Sequence, residues 1–352
     1  MSTIQDVAKQ AGVSTSTVSN VLNGRTDLMR RETLARVETA ISALSYRPNR
    51  AAQQLKTGNN PMLGLLVPSI ANPMYGYIAR EIETVAQQQY GHRVMLGNTY
   101  RSKEIETGFF DDLFSHGVRG AIMISSQLDE QHLDRVVQRG LVAVSYDRPA
   151  TPGASPALDH VTVDNAAAAR MATEHLISRG HQRLVFATAA GQTMSRREKV
   201  KGFLAAAQSA GLADSAHVLE GSIKAGYGDS EMADLGRMLA ARIALDPRRP
   251  TGIVAVNDLM AFGLMAGLRD AGLSVPADVS LVGIDGLFLS ALMNPGLTTV
   301  RLPVPQMASK LVERVIARMA DPSTKTDEFI FQPDLVERAS VAVPPPPARR
   351  QA

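Results

Sequence analysis

Residues Ile4–Ala11 read IQDVAKQA and residues Thr15–Leu22 read TSTVSNVL, with Gly12-Val13-Ser14 between them. In the first stretch Ile4, Val7, Ala8 and Ala11 recur at helical spacing, and in the second Val18, Val21 and Leu22 do so. Gly12 stands where a sharp turn between helices needs a positive φ, and Ser14 is placed to cap the second helix. The pattern predicts helix, tight turn, helix, with small polar side chains displayed along the second. A third periodic segment, Arg31 to Leu44, puts Leu34, Val37, Ala40, Ile41 and Leu44 on one face. Three helices around one apolar centre make an all-helical domain over residues 1–46.

The charge of this end suits a polyanion. Up to Gly58 there are eight Lys or Arg against four acids, so this end carries +4 of a whole-chain +3 and the remainder sums to −1. A local excess of this kind on a helix-turn-helix pattern points to DNA. Residues 47–60 include Pro48 and end near Gly58; they are too short and polar for a stable isolated helix and read as a hinge helix and linker.

From Met62 the grammar changes. Short apolar runs at 62–68, 92–99, 120–125 and 141–147 alternate with amphipathic segments, the pattern of parallel βαβ units. It restarts with runs at 161–164, 183–188, 252–257 and 280–285, so two doubly wound lobes with a cleft between them are expected. The expected core covers 61–341: an N-lobe of about 61–160 plus 295–323, and a C-lobe of about 161–294 plus 324–341. Leu297–Leu302 reads as a return to the first lobe, Phe329–Val336 as one final strand, and residues 342–352, with Pro344–Pro347, as a disordered tail. The fold class is thus α/β behind an all-helical head.

Composition narrows the function. The chain has 352 residues, 45% hydrophobic and 20% charged, and no Cys, which excludes disulfides, a thiolate nucleophile and Cys-based metal sites. No export signal or uncharged apolar span is visible, so a cytoplasmic, nucleoid-associated protein without a membrane is expected. No G-x-S-x-G, H-E-x-x-H or phosphate-loop signature occurs. His175 and His181 bracket a helix end, where capping or solvation accounts for them. Neither a catalytic residue, a metal nor a cofactor is expected.

The loops after the strands instead carry polar groups suited to binding. Asn72 and Tyr75 follow the first strand, Asp147 and Arg148 another, and Asn257, Asp258 and Asp285 follow later ones. Carboxylates and amides bracket hydroxyls, and Tyr75 can cover a ring face. Asp164, Asn165 and Asp258 can equally be helix caps. Arg196, Arg197, Lys199 and Lys201 crowd a helix start, where either one or two point into the cleft toward an anion or all form a solvated basic turn.

Together TIQDVAKQAGVSTSTVSNVLNG (3–24), ALSYRPNRAAQQL (43–55), VPSIANPMY (67–75), NDLMAFG (257–263), DVSLVGID (278–285) and PGLTTVR (295–301) resemble the LacI family of bacterial transcriptional regulators over about Thr3–Ser340. The resemblance implies a helix-turn-helix headpiece and hinge on a periplasmic-binding-protein-like core, a homodimer, a palindromic double-stranded operator and an effector in the cleft. It assigns Thr15, Ser16 and Asn20 to base edges, and Ser14, Thr17 and Ser19 to phosphates. Asn20 replaces the Arg of many members, which favours adenine over guanine. Leu55 matches the minor-groove wedge, with Asn49, Ala52 and Gln53 beside it. Tyr75, Asp147 or Arg148, Lys199, Asp258 and Asp285 match effector-side positions, with Lys199 where many relatives carry Arg; Asn72, Arg197 and Asn257 join them as effector candidates from their places after a strand or at the basic helix start. The absence of a leucine-heptad tail favours a dimer over a tail-assembled tetramer. The implied activity is repression modulated by an effector, and the polar groups of the cleft favour a sugar, polyol or sugar acid over a purely apolar ligand. Alternatives left open are a nucleobase effector or protein partner, a non-enzymatic solute-binding protein, and a sugar-metabolising enzyme.

Overall fold

The computed structural model describes residues 2–27, 29–46, 61–124, 131–148, 157–190, 193–222 and 230–346. The chain divides into two compact units, Met1–Asn60 and Pro61–Ala352.

In the first unit, helices Ile4–Ala11, Thr15–Leu22 and Arg31–Ala43 enclose a core of Val7, Ala8, Ala11, Val18, Val37 and Ala40. Gly12 ends the first helix in the left-handed region (φ 65°). The Thr3 hydroxyl accepts from Asp6 N while the Asp6 carboxylate accepts from Thr3 N at 2.8 Å, a reciprocal cap that fixes where the first helix starts. Ser14 caps the second helix, accepting from Thr17 N at 3.1 Å.

The second unit contains two six-stranded sheets with the orders β11-β5-β4-β3-β1-β2 and β12-β10-β9-β8-β6-β7. The first holds β1 Met62–Val67, β2 Arg93–Asn98, β3 Gly120–Met123, β4 Val142–Tyr146, β5 Asp159–Val163 and β11 Glu328–Phe331, all parallel. The second holds β6 Leu184–Ala189, β7 Ala216–Gly221, β8 Gly252–Ala255, β9 Ser280–Asp285 and β10 Thr298–Arg301, with β12 Asp334–Val336 antiparallel on its edge. Both lobes repeat one winding, and in each the order reverses beside the first strand laid down, so both crevices open at the strands' carboxyl ends. Central strands are buried on both faces, which is why they read as continuous apolar runs rather than alternating ones.

The lobe boundaries differ from those the sequence suggests. β5 pairs with β4 and therefore closes the first lobe instead of opening the second. Thr298–Arg301 stays in the second sheet, in register with Val282–Asp285, and the chain returns only afterwards, where helix Val304–Ala320 packs on the first lobe. Phe329–Val336 is two strands in different sheets, because Pro333 lacks the N–H a continuous ladder needs. The chain thus crosses between lobes three times, near 163–165, 301–304 and 331–334. An apolar run cannot by itself declare which sheet it joins.

Two smaller expectations also change. His175 and His181 are buried, not solvated; the His181 ring nitrogens lie 3.0 Å from Thr251 Oγ1 and 3.0 Å from the Ala342 carbonyl. Ala342 N donates to Ser280 Oγ at 3.0 Å, so the chain is still tied to the second lobe where the sequence suggests a tail. Residues 347–352 lie outside the described residues.

Candidate functional site

On the first unit, Ser14, Thr15, Ser16 and Asn20 are exposed, whereas Val18 on the opposite face is fully buried. Thr17 and Ser19 are half-buried, and Ser19 is engaged by Asn23, whose amide donates to its carbonyl at 2.8 Å. The second helix therefore offers a short polar face with little side-chain entropy to lose, held from behind by the apolar core. Asn49, Ala52, Gln53 and Leu55 lie outside the described residues.

In the second unit a cavity of about 900 Å³, mouth included, opens between the lobes. From the first lobe it is lined by Asn72, Tyr75, Arg101, Tyr146 and Asp147; from the second by Ser195, Arg196, Lys199, Asn257 and Asp285, among others. Strand ends and helix starts place these groups. Asn72 caps helix Pro73–Tyr90 by accepting from Met74 N, and Asn257 caps helix Asp258–Asp270 by accepting from Met260 N, both at 2.9 Å. Asp147 just past β4 and Asp285 at the end of β9 have φ of 57° and 135°, values that non-glycine residues rarely adopt and that turn each carboxylate into the cavity.

The carboxylates face one ammonium. Burial raises the Asp147 pKa, opposed first by the Lys199 charge and then by hydrogen bonds from Asn165 and Ser195. Asn165 Nδ2 donates to Asp147 at 2.7 Å. Burial holds Asp285 well above the ordinary carboxylate range, again opposed first by Lys199. Lys199 itself donates to the Val256 carbonyl at 3.2 Å. Burial also raises the Tyr75 hydroxyl, against the Arg101 charge and the hydrogen bond Arg101 gives it. Such a wall of acceptors, donors and one ring face matches the hydroxyls and edge of a small polar molecule. Among the described residues no group of His, Cys, Asp or Glu is arranged to hold a metal ion, and no helix is long and apolar enough to cross a membrane.

Of the residues singled out from the sequence, Asn72, Tyr75, Asp147, Lys199, Asn257 and Asp285 converge on this cavity, while Arg148, Arg197 and Asp258 do not. Arg148 follows the sharp turn at Asp147 and is buried away from the cavity. Arg197 is exposed, because it lies about 100° around the helix from Arg196, whereas Arg196 and Lys199 share a face. Asp258 is wholly buried behind the wall, where its carboxylate accepts from Thr299 Oγ1 at 2.6 Å, Ser290 Oγ at 2.7 Å and Leu287 N at 2.8 Å. It braces the loop after Asp285, and Gly283 leaves it room, since a Cβ there would collide with Asp258 Oδ1. Asp164 is a helix cap, accepting from Ala167 N at 2.7 Å. Arg101, Tyr146 and Ser195 line the cavity without having been singled out.

Residues 3–49 match the family model for bacterial regulatory proteins of the lacI family, and residues 173–341 match the periplasmic binding protein-like domain. The HTH-type transcriptional repressor PurR of Aliivibrio fischeri strain ATCC 700601 / ES114 is 31% identical over 347 residues, covering 97% of this chain and 99% of that protein. The chain belongs to the LacI family. Another LacI-family member, the HTH-type transcriptional regulator GalS of Salmonella typhimurium, is 33% identical over 346 residues, covering 97% of each chain. The lac repressor dimer bound to operator and the anti-inducer ONPF superposes with a TM-score of 0.83 at 26% identity, over 97% of this chain and 99% of that one. The protein is accordingly a LacI-family DNA-binding transcriptional repressor and not an enzyme, and both the headpiece and the two-lobed core have counterparts throughout.

Proposed function

We propose that this repressor binds a palindromic operator as a homodimer and that a small polyhydroxylated effector, a sugar, polyol or sugar acid, enters the interlobe cavity and changes operator affinity. The convergence of Asp147, Asn257, Asp285 and Lys199 from both lobes on one cavity is the observation that carries the effector reading. Thr15, Ser16 and Asn20 read base edges, Ser14, Thr17 and Ser19 contact phosphates, and Leu55, with Asn49, Ala52 and Gln53, forms the hinge wedge. Because the effector touches both lobes, it changes their relative placement, and operator and effector affinities are reciprocally linked. Footprinting across the source genome, with and without a panel of small metabolites, tests this; protected palindromes that no small molecule alters would sink the effector half.

Two substitutions sharpen the reading. Asn20→Arg should move the preferred base at one position of each half-site from adenine to guanine, a change of about 1–3 kcal/mol. Selection of sites from a random duplex pool reads it; an unchanged preference would remove Asn20 from the base-reading set.

Asp285→Asn should raise stability while weakening effector binding about tenfold. Burial keeps the folded-state Asp285 pKa above its unfolded value of 3.8, so its contribution is fully present below that pH and is lost as pH rises through the folded value. The amide cannot ionise, so the variant should escape that loss and gain about 1 kcal/mol near neutral pH. Melting curves of both proteins between acid and neutral pH check the sign; a variant that melts lower near neutrality would refute it.

A further inference from the structure

Arg101 and Arg196 reach the cavity from opposite lobes. Arg101 follows β2 at the mouth, where Tyr100 and Arg101 are both left-handed, with φ of 48° and 59°. Two consecutive non-glycine residues in that region hold a conformation the chain would not choose unaided. Arg196 sits in the first turn of helix Met194–Ser209, and its Nη1 donates to the Ala189 and Ala190 carbonyls at 3.3 and 3.4 Å, which holds that nitrogen against the end of β6. The Tyr75 phenol accompanies them, accepting from Arg101.

Charge is unevenly shared along the cavity. Among its described lining residues there are three cations, Arg101, Arg196 and Lys199, against two carboxylates, Asp147 and Asp285. Both carboxylates have Lys199 as their leading charged neighbour. Arg196 instead feels burial first, then the charge of Arg101, with Tyr75 and the exposed Glu220 of β7 acting the other way; Glu220 does not line the cavity. The carboxylates thus sit with Lys199, while one guanidinium from each lobe reaches the same cavity. An oxyanion there can accept from both guanidiniums through forked, charge-assisted hydrogen bonds, which a neutral ligand cannot match.

We propose that the effector carries an oxyanion, a carboxylate or a phosphate, gripped between Arg101 and Arg196 beside the Tyr75 hydroxyl, with its hydroxyls on Asp147, Lys199 and Asp285. The proposal rests on the cavity being the effector site. It makes the anion the cross-lobe tie, since one guanidinium belongs to each lobe.

The test uses the full chain, calorimetric titration, and operator anisotropy with matched trios: glucose, gluconate and glucose 6-phosphate; galactose, galactonate and galactose 1-phosphate; ribose, ribonate and ribose 5-phosphate. In at least one trio a charged member should bind at least about tenfold tighter than its neutral partner and alter operator affinity. Which charged member wins distinguishes carboxylate from phosphate. Arg101→Gln and Arg196→Gln should each weaken that member about 10- to 100-fold while changing the neutral partner less than about threefold. Asp285→Asn should weaken both partners alike. Equal binding of neutral and charged members, or equal losses of both in the arginine variants, would overturn the oxyanion and leave the cavity as effector site. If no member of any trio bound or moved operator affinity, both readings would fall together.

Discussion

Asp258→Ala will lower the stability of the core by about 3–5 kcal/mol, although no ligand-facing group is removed. The carboxylate is fully buried, and its two oxygens serve three donors: Thr299 Oγ1 on one, and Ser290 Oγ and Leu287 N on the other. Alanine strands all three, at about 1–3 kcal/mol for each buried donor left without an acceptor, moderated by relaxation of the loop. Thr299 Oγ1 also accepts from Gly286 N at 3.2 Å, so the loss spreads along the turn that carries Asp285. The asparagine variant separates hydrogen bonding from charge. Its oxygen can still serve Leu287 and Ser290, and its amide can donate to Thr299. Burial already raises the Asp258 pKa, so neutralising it removes a desolvation cost. Asp258→Asn should therefore cost about 1 kcal/mol or less. Calorimetric unfolding of the three proteins decides the matter: an alanine variant no less stable than the asparagine one would show that the three bonds carry no net weight.

The same residue marks where sequence reading stops. Asp258 follows Asn257 and opens a helix, so pattern alone offers it as ligand contact or cap, and it is neither. Only the fold brings Ser290 and Thr299, more than thirty residues away, onto its carboxylate. Local chemistry was legible: Gly12 and Ser14 predict the turn and cap found. What periodicity could not allocate was membership. β5 and β10 look like any buried parallel strand, and their lobes are fixed by pairings with residues far off in sequence. Arg101 was reachable by a rule applied elsewhere in the chain, that groups just past a strand's carboxyl end face the crevice; β2 ends at Asn98. Arg196 stands among the four cations of which the pattern offers one or two to the cleft, and its helical spacing to Lys199, which Arg197 lacks, is what selects it.

Asp159→Ala should be as damaging, for an electrostatic reason. Asp159 is fully buried at the start of β5 and accepts from Arg314 Nε at 3.0 Å, Arg318 Nη1 at 3.0 Å and Asp327 N at 3.0 Å. Arg318 continues to the Ala157 carbonyl at 3.0 Å. One carboxylate thereby ties helix Val304–Ala320 to β5 and to the start of β11, two of the segments that return to the first lobe after crossing. Removing it leaves two guanidiniums side by side with little water, and breaking a buried pair from one side costs about 3–5 kcal/mol. Arg314 should cost less when replaced, because Arg318 and the Asp327 N–H still serve the carboxylate it leaves behind. A rescue experiment keeps the argument open to failure. Pairing Asp159→Leu with Arg318→Met removes the carboxylate and the more buried of its two guanidiniums and should recover part of the loss, since buried ion pairs and well-packed apolar replacements come out nearly even. If the double variant melted no higher than Asp159→Ala, the penalty would lie in the backbone bonds at Asp327 and Ala157 and not in the stranded charge.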